Sequence, residues 1–413
     1  MKNVDRLAAG GSSFAPNFPT ARRTLLCFSH LRWDFVYQRP QHLMSRFASE
    51  YDVLFLEEPV PAQGAPLLVE RRAASGVSVL VPHLPAGTGA AESDRALRSL
   101  LNDRLRRVRQ KSLLLWYYTP MSLAFSAHLS PALVVYDCMD ELSAFRGAPP
   151  QLVQRETQLL SIADVVFTGG VSLYEAKRVF NPNTHPFPSS VDLAHFTAAR
   201  GSLPEPADQA AIPGPRMGFY GVIDERFDVA LLDELAARRP DWSFVMVGPV
   251  VKIDAAVLPR RPNIHYLGQK PYSELPAYLG GWSVALMPFA RNESTRFISP
   301  TKTPEYLAAG RPVVSTPITD VVRMFGNTDI VHIAADACTF ERAIEIALEQ
   351  ARDRHAFMAS ADAVLRGMSW DLTWRSMHAL MHRADPGQGR RAAPAGHGHD
   401  DEPRSSRVVA RTA

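Results

Sequence analysis

Short apolar runs alternate with stretches of helical periodicity along most of the chain. TLLCFS (24–29), DVLFLE (52–57), VSVLV (77–81), SLLLWYY (112–118), LVVYD (133–137) and DVVFTG (164–169) have the length and apolar content of buried strands. Apolar residues return at helical spacing over 38–49, 92–109, 152–162 and 173–180. Strands separated by helices predict a parallel sheet, and hence a doubly wound domain over 22–200.

The pattern stops at GSLPEPADQAAIPGP (201–215), which reads as an interdomain linker, and then resumes. RMGFYG (216–221), WSFVMVG (242–248), NIHYLG (263–268), WSVALMPF (282–289) and RPVVST (311–316) are the next strands, with helices expected over 228–239 and 273–279. They predict a second domain over 216–368. Trp370 and Trp374, spaced i, i+4, mark a helix over 369–384 that packs across a domain surface. Residues 1–21 and 385–413 lack periodicity and are expected to be disordered; HGHD (397–400) is either a weak metal holder or part of a solvated tail. The expected fold class is α/β, two Rossmann-like doubly wound domains facing a central cleft.

Composition narrows the function classes. With 413 residues and 46% hydrophobic content, two domains with sizeable cores are affordable in length. The 45 basic against 42 acidic residues leave a net charge of +3, too small to predict nucleic-acid binding. Cys27, Cys138 and Cys338 are far apart with no CxxC pair, so neither a disulfide framework nor a zinc site is indicated, and a cytoplasmic home is expected. No segment has the apolar length that spans a bilayer; peripheral contact with anionic lipid at the inner face of the cell membrane stays open.

The richest segment is SPTKTPEYLAAGRPVVST (299–316). Thr303 is expected as N-cap, Pro304 as the first helical residue and Gly310 as the left-handed stop. A helix start offers free N–H groups to a phosphate; Lys302 adds a full charge, and Thr301 and Thr303 flank it, so together they predict a diphosphate site. Glu305 suits the vicinal diol of a ribose. From spacing alone, a dipole-complementing Glu305 and a solvated Lys302 fit as well.

Glu305, Tyr306, Ala308, Gly310, Pro312, Val313 and Val314 resemble the signature E-(F/Y)-x-A-x-G-x-P-V-V of the family-4 nucleotide-sugar glycosyltransferases of GT-B fold. The resemblance implies that Glu305 binds the donor ribose and Lys302 the diphosphate. HPFPSSVDLAHF (185–196) resembles that family's N-G-V-D-x-x-x-F stretch without its Gly. The family's E-x7-E motif would place its first Glu at Phe297, where no acid stands; Glu293 is the nearest upstream. Sugar preference and stereochemical course are therefore left open by the resemblance.

Around this motif, GFYGVIDERFD (218–228) carries Gly218 and Gly221, which allow close backbone approach, and Arg226, which either meets the diphosphate or pairs with Asp224 or Asp228. Strand ends at Pro249 and at Tyr266 and Leu267 are expected to flank the base. In the N-terminal half, His30 stands at the end of the first strand as a contact for the acceptor hydroxyl or a loop cap. Arg32, Trp33, Arg39 and His42 offer an aromatic, basic acceptor surface, against which Trp33 can be core and Arg39 and His42 a solvated helix face. This stretch, R-W-D-x-x-x-Q-R-P-Q-H-L, resembles the N-terminus of bacterial envelope-polysaccharide glycosyltransferases, including those of teichuronic-acid-like polymers. Asp137, Asp140 and Glu141 can bind sugar hydroxyls or supply a base, Asp140 and Glu141 also serving as helix-capping acids.

The expected function is transfer of a sugar from a nucleotide-sugar donor to a saccharide or lipid-linked saccharide acceptor in envelope or exopolysaccharide synthesis, with no catalytic metal, no cofactor and no nucleic-acid partner. A sugar-nucleotide 2-epimerase and a non-catalytic nucleotide-sugar-binding subunit are the alternatives.

Overall fold

Two largely parallel sheets carry the chain, and their central strands have side chains buried on both faces, as sheets covered by helices on two sides require. The computed structural model describes residues 22–385; the expected disorder of 1–21 and 386–413, and the HGHD stretch, lie outside the described residues.

The first sheet consists of β1 (Thr24–Phe28), β2 (Asp52–Leu56), β3 (Val60–Ala62), β4 (Leu67–Arg72), β5 (Ser78–Pro85), β6 (Leu113–Tyr117), β7 (Leu133–Cys138), β8 (Val165–Thr168) and β9 (Thr184–Pro186), in spatial order β3-β5-β2-β1-β6-β7-β8-β9. Its one antiparallel partner, β4, hangs on β5. The second consists of β10 (Arg216–Tyr220), β11 (Ser243–Val247), β12 (Ile264–Gly268), β13 (Val284–Met287), β14 (Val313–Ser315) and β15 (Val331–Ile333), ordered β12-β11-β10-β13-β14-β15. In both sheets the order reverses beside the first strand of the unit, the place where parallel α/β sheets open a crevice at their carboxyl ends.

Two segments depart from the expectation. Residues 201–215 are more than a linker: they contain a helical turn, Ala207–Ala210, and Gln209 is fully buried there. Its side chain donates to the Tyr278 carbonyl at 3.0 Å and accepts the Trp282 indole N–H at 2.9 Å. Asp385, placed by the sequence reading at the start of a disordered tail, is buried and paired with Arg23.

The last helix, Trp370–Ala384, returns to the first sheet. Ser369 caps it by accepting the Leu372 N–H at 3.2 Å, and Trp370, Met377 and Met381 enter the first domain's apolar core, beside β7 and β8 and the helix Arg39–Phe47. Trp370 stacks on His42 at 4.7 Å, and its main-chain N–H donates to the Val191 carbonyl at 3.3 Å, so the return crossing lies beside the outgoing one.

Candidate active site

Between the sheets lies a cleft of about 690 Å³, lined from one side by residues 33–39 with Met139 and Asp140, and from the other by the loops after β10, β11 and β12 and by residues 298–302 with Glu305. The segment after β13 forms its floor. Its helix is Lys302–Ala308, two residues earlier than expected, with Thr301 rather than Thr303 at the N-cap position. Thr303 points inward: it is fully buried and its hydroxyl meets Met287 Sδ at 2.9 Å, which removes it from the ligand contacts. Gly310 takes the left-handed stop, φ +74°.

Glu305 is 5% exposed and accepts the Tyr220 hydroxyl. Burial pushes its carboxyl up to about 7, against the Tyr220 bond and the Lys302 charge. Tyr220 is itself set by Tyr306, whose hydroxyl oxygen accepts the Tyr220 N–H at 3.0 Å. The Lys302 ammonium has no acid within ion-pair distance among the described residues; it lies 5.9 Å from the ring centres of both Phe219 and Phe289, and burial holds its pKa below the ordinary lysine value. Its stem passes over Gly221, where a Cβ would come 2.3 Å from Lys302 Cε, and Gly221 also has φ +140°. Gly218 serves packing instead, since a Cβ there would enter the Trp282 ring.

Arg226 lines the cleft, yet its guanidinium is forked on the buried Asp224, with the shortest contact at 2.7 Å, and lies 5.3 Å from the Phe145 ring. At the base-flanking positions Pro249 lines the cleft, whereas Tyr266 turns its hydroxyl to the Pro259 carbonyl at 3.3 Å and Leu267 packs on the core. Both are corrected by the residues just past β12. Tyr272, which the sequence reading missed, lines the cleft in a column between His195, 4.2 Å away, and Tyr37 of the opposite wall, 4.5 Å away. The strand-end rule extended a few residues beyond Gly268 would have found it.

The N-terminal wall is where structure and expectation differ most. Asp137 is fully buried and held by Arg39, Nη2 to Oδ1 2.8 Å, while Arg39 Nη1 donates to the Phe187 carbonyl at 2.7 Å. Two residues expected to face ligand thus satisfy each other; a buried charge requires such a partner. Glu141 pairs with Lys177 at 2.6 Å, which also holds Glu156 at 2.8 Å. Arg32 is tied to Glu57 at 3.0 Å and to the Glu58 carbonyl at 2.6 Å. His42 is buried against Trp370, and burial holds it neutral. Trp33 is core, 5.0 Å from Phe55 edge to face, with only its margin on the cleft.

His30 is not in the cleft lining. Burial, then Lys252, lowers its pKa to about 4, a bond to the Tyr118 main chain opposing. Asp140 does line the cleft, opposite Arg226 and Lys302; burial raises its carboxyl and those cations oppose. Phe297, partly buried, packs against the edge of the first domain's apolar core, its ring 5.0 Å from the Arg296 guanidinium. Glu293 does not replace the acid, being exposed and 3.7 Å from Arg296.

Residues 216–350, which contain Gly221, Lys302 and Glu305, match the family described as glycosyl transferases group 1. This segment is therefore similar to the group 1 glycosyl transferases. Over 229 residues the chain is 28% identical to a Bacillus subtilis (strain 168) protein assigned to teichuronic acid biosynthesis as the glycosyltransferase TuaH; the match takes in 51% of this chain and 57% of that protein. Among solved structures, sucrose-phosphate synthase from Thermosynechococcus elongatus superimposes with a TM-score of 0.65 at 14% identity, over 88% of this chain and 99% of the other. HepE of Anabaena in complex with UDP and glucose does so with a TM-score of 0.63 at 11% identity, over 88% and 100%. The matched segment and its N-terminal partner therefore share the two-domain GT-B fold of these structures.

Proposed function

We propose that the chain is a glycosyltransferase that moves a sugar from a nucleoside-diphosphate sugar to a hydroxyl acceptor during synthesis of an envelope or extracellular polysaccharide. The observation that carries the reading is the pairing, within the segment that matches the group 1 family, of a buried Glu305 anchored by Tyr220 with a Lys302 over Gly221 that has no ion pair among the described residues. Glu305 would accept the ribose hydroxyls, and Lys302, joined by Arg226, would meet the diphosphate. As the bond from the sugar to the diphosphate breaks, negative charge gathers on the leaving phosphate, where a fixed ammonium in a dry site stabilises it most. Asp140, facing these cations from the other wall, is the candidate base for the acceptor hydroxyl. Thr301 and Pro249 complete the donor side, at the first turn of the helix and beside the base.

On this reading the positive charge comes from Lys302 and Arg226, with no catalytic metal and no resident cofactor. UDP in the HepE structure supports a uridine donor, and the teichuronic acid relative supports an envelope polymer as product. A saccharide or lipid-linked saccharide would be the acceptor. No helix among the described residues is long and apolar enough to cross a membrane, so a lipid-linked acceptor would be met by contact at the inner membrane face.

Phe297 favours a second reading, a nucleotide-sugar-binding subunit without turnover, because an apolar ring stands where the family motif has an acid. Calorimetric titration with UDP, GDP and dTDP, followed by assay of nucleotide release with saccharide acceptors, separates them. Release that needs acceptor supports transfer; binding without release supports the subunit; epimerised donor without acceptor supports a 2-epimerase. Unchanged nucleotide affinity in Lys302→Ala and Glu305→Ala would overturn the site itself.

A further inference from the structure

The helix Val171–Lys177, which follows β8, starts at Gly170, a residue with no side chain to cap it. Its cap comes from the other domain. Asp320, in the first turn of the helix Thr319–Phe325, accepts the Ser172 N–H at 3.1 and 3.4 Å and the Ser172 hydroxyl at 3.1 Å, and is 1% exposed. The carboxylate thus sits between the N-terminal ends of two helices, where both dipoles favour it. One turn on, Arg323 reaches across to Glu175 at 3.1 Å and stands 3.7 Å from Asp320.

The approach depends on Gly170. A Cβ there would lie 2.1 Å from Asp320 Oδ2 and 3.0 Å from Ser299 Cβ. Ser299 lines the cleft and precedes Lys302 by three residues in sequence, so the contact that caps the helix also presses the first domain against the start of the donor segment.

We propose that Asp320 is a positioning residue for the donor site: by capping a helix of the opposite domain it holds the closure at which Gly170 abuts Ser299 and the segment leading to Lys302. The contact is polar, so water can replace each hydrogen bond when the domains part. That makes it reversible, unlike an apolar interface. Losing it lowers the fraction of molecules in the closed form, and apparent donor affinity falls by that fraction.

The ligand readout rests on the donor reading above; the shape readout does not. Small-angle scattering, circular dichroism and calorimetric UDP titration are measured on the full chain as wild type, Asp320→Ala, Asp320→Asn, Ser172→Ala and Gly170→Ala. Asp320→Ala and Gly170→Ala are expected to enlarge the radius of gyration at unchanged helix content and to weaken UDP binding about tenfold. Asp320→Asn and Ser172→Ala, which keep part of the cap, fall between, and they carry the test should the harsher variants not fold. Scattering identical to wild type overturns the proposal, and so does an enlarged radius with UDP affinity within twofold of wild type. If wild type binds no UDP, the donor reading has failed and scattering alone decides the latch.

Discussion

Tyr220 closes the donor end of the cleft by giving its hydroxyl hydrogen bond to Glu305, joining the end of β10 to the helix Lys302–Ala308 through a buried carboxylate. Because desolvation outweighs that bond and the nearby ammonium, the Glu305 carboxyl titrates at about 7 rather than at its ordinary 4.5. The folded protein therefore holds this proton more tightly than the unfolded chain does. Its contribution to stability is full below about 4.5 and is lost as pH rises through about 7. The difference in Tm between wild type and Glu305→Gln, followed from pH 4 to 8, is expected to move against wild type over that window; a flat difference would contradict the shifted carboxyl.

The same titration bears on binding. A ribose diol donates to an ionised carboxylate, so affinity for a nucleoside diphosphate is expected to strengthen as pH passes through about 7 and to lose that step in Glu305→Gln. Calorimetry with UDP at fixed ionic strength across this range is the check.

Lys302 separates the phosphates from the nucleoside. Lys302→Ala is expected to weaken UDP by roughly 2 kcal/mol, the scale of a charge-assisted hydrogen bond, while leaving uridine nearly unaffected. Equal losses for both ligands would mean that the ammonium does not meet phosphate.

At Gly221 a methyl group would meet Lys302 Cε at 2.3 Å in a backbone conformation that suits glycine. Gly221→Ala should cost about 1–3 kcal/mol in urea unfolding and displace the lysine. In the Lys302→Ala background the clash disappears but the backbone strain stays, so the two substitutions should be less than additive.

The Arg39–Asp137 pair is a stability element of the first domain. Asp137→Ala leaves a buried guanidinium without its carboxylate and should cost about 3–5 kcal/mol, read by urea unfolding. UDP affinity of the folded fraction is expected to stay near wild type, since neither residue belongs to the donor wall.

What the chain reveals before folding follows from how local each cause is. TLLCF and SFVMV are apolar on both faces and announce buried strands. β4 is an exposed edge strand ending in Glu-Arg-Arg, and β9 and β15 are three residues each, too short to show a period. The donor motif is readable because one contiguous segment carries it. Its helix start is not, because Thr303 is drawn inward by Met287 from a neighbouring strand. The N-terminal wall misled for a similar reason: Arg39 and Asp137 are 98 residues apart, and only the fold shows that each is the other's partner. Tyr272 lies four residues past the end of β12, within reach of the strand-end rule, but its ring column with His195 and Tyr37 is set only by the fold.

The return of Trp370–Ala384 to the first sheet means that, among the described residues, the backbone passes between the two bodies twice, and the Trp370 main-chain N–H on the Val191 carbonyl puts the two passages side by side. A door hung on two pins swings about one line and cannot twist freely. Opening should thus be a rotation about the Val191–Trp370 line, with the Asp320 edge free to part.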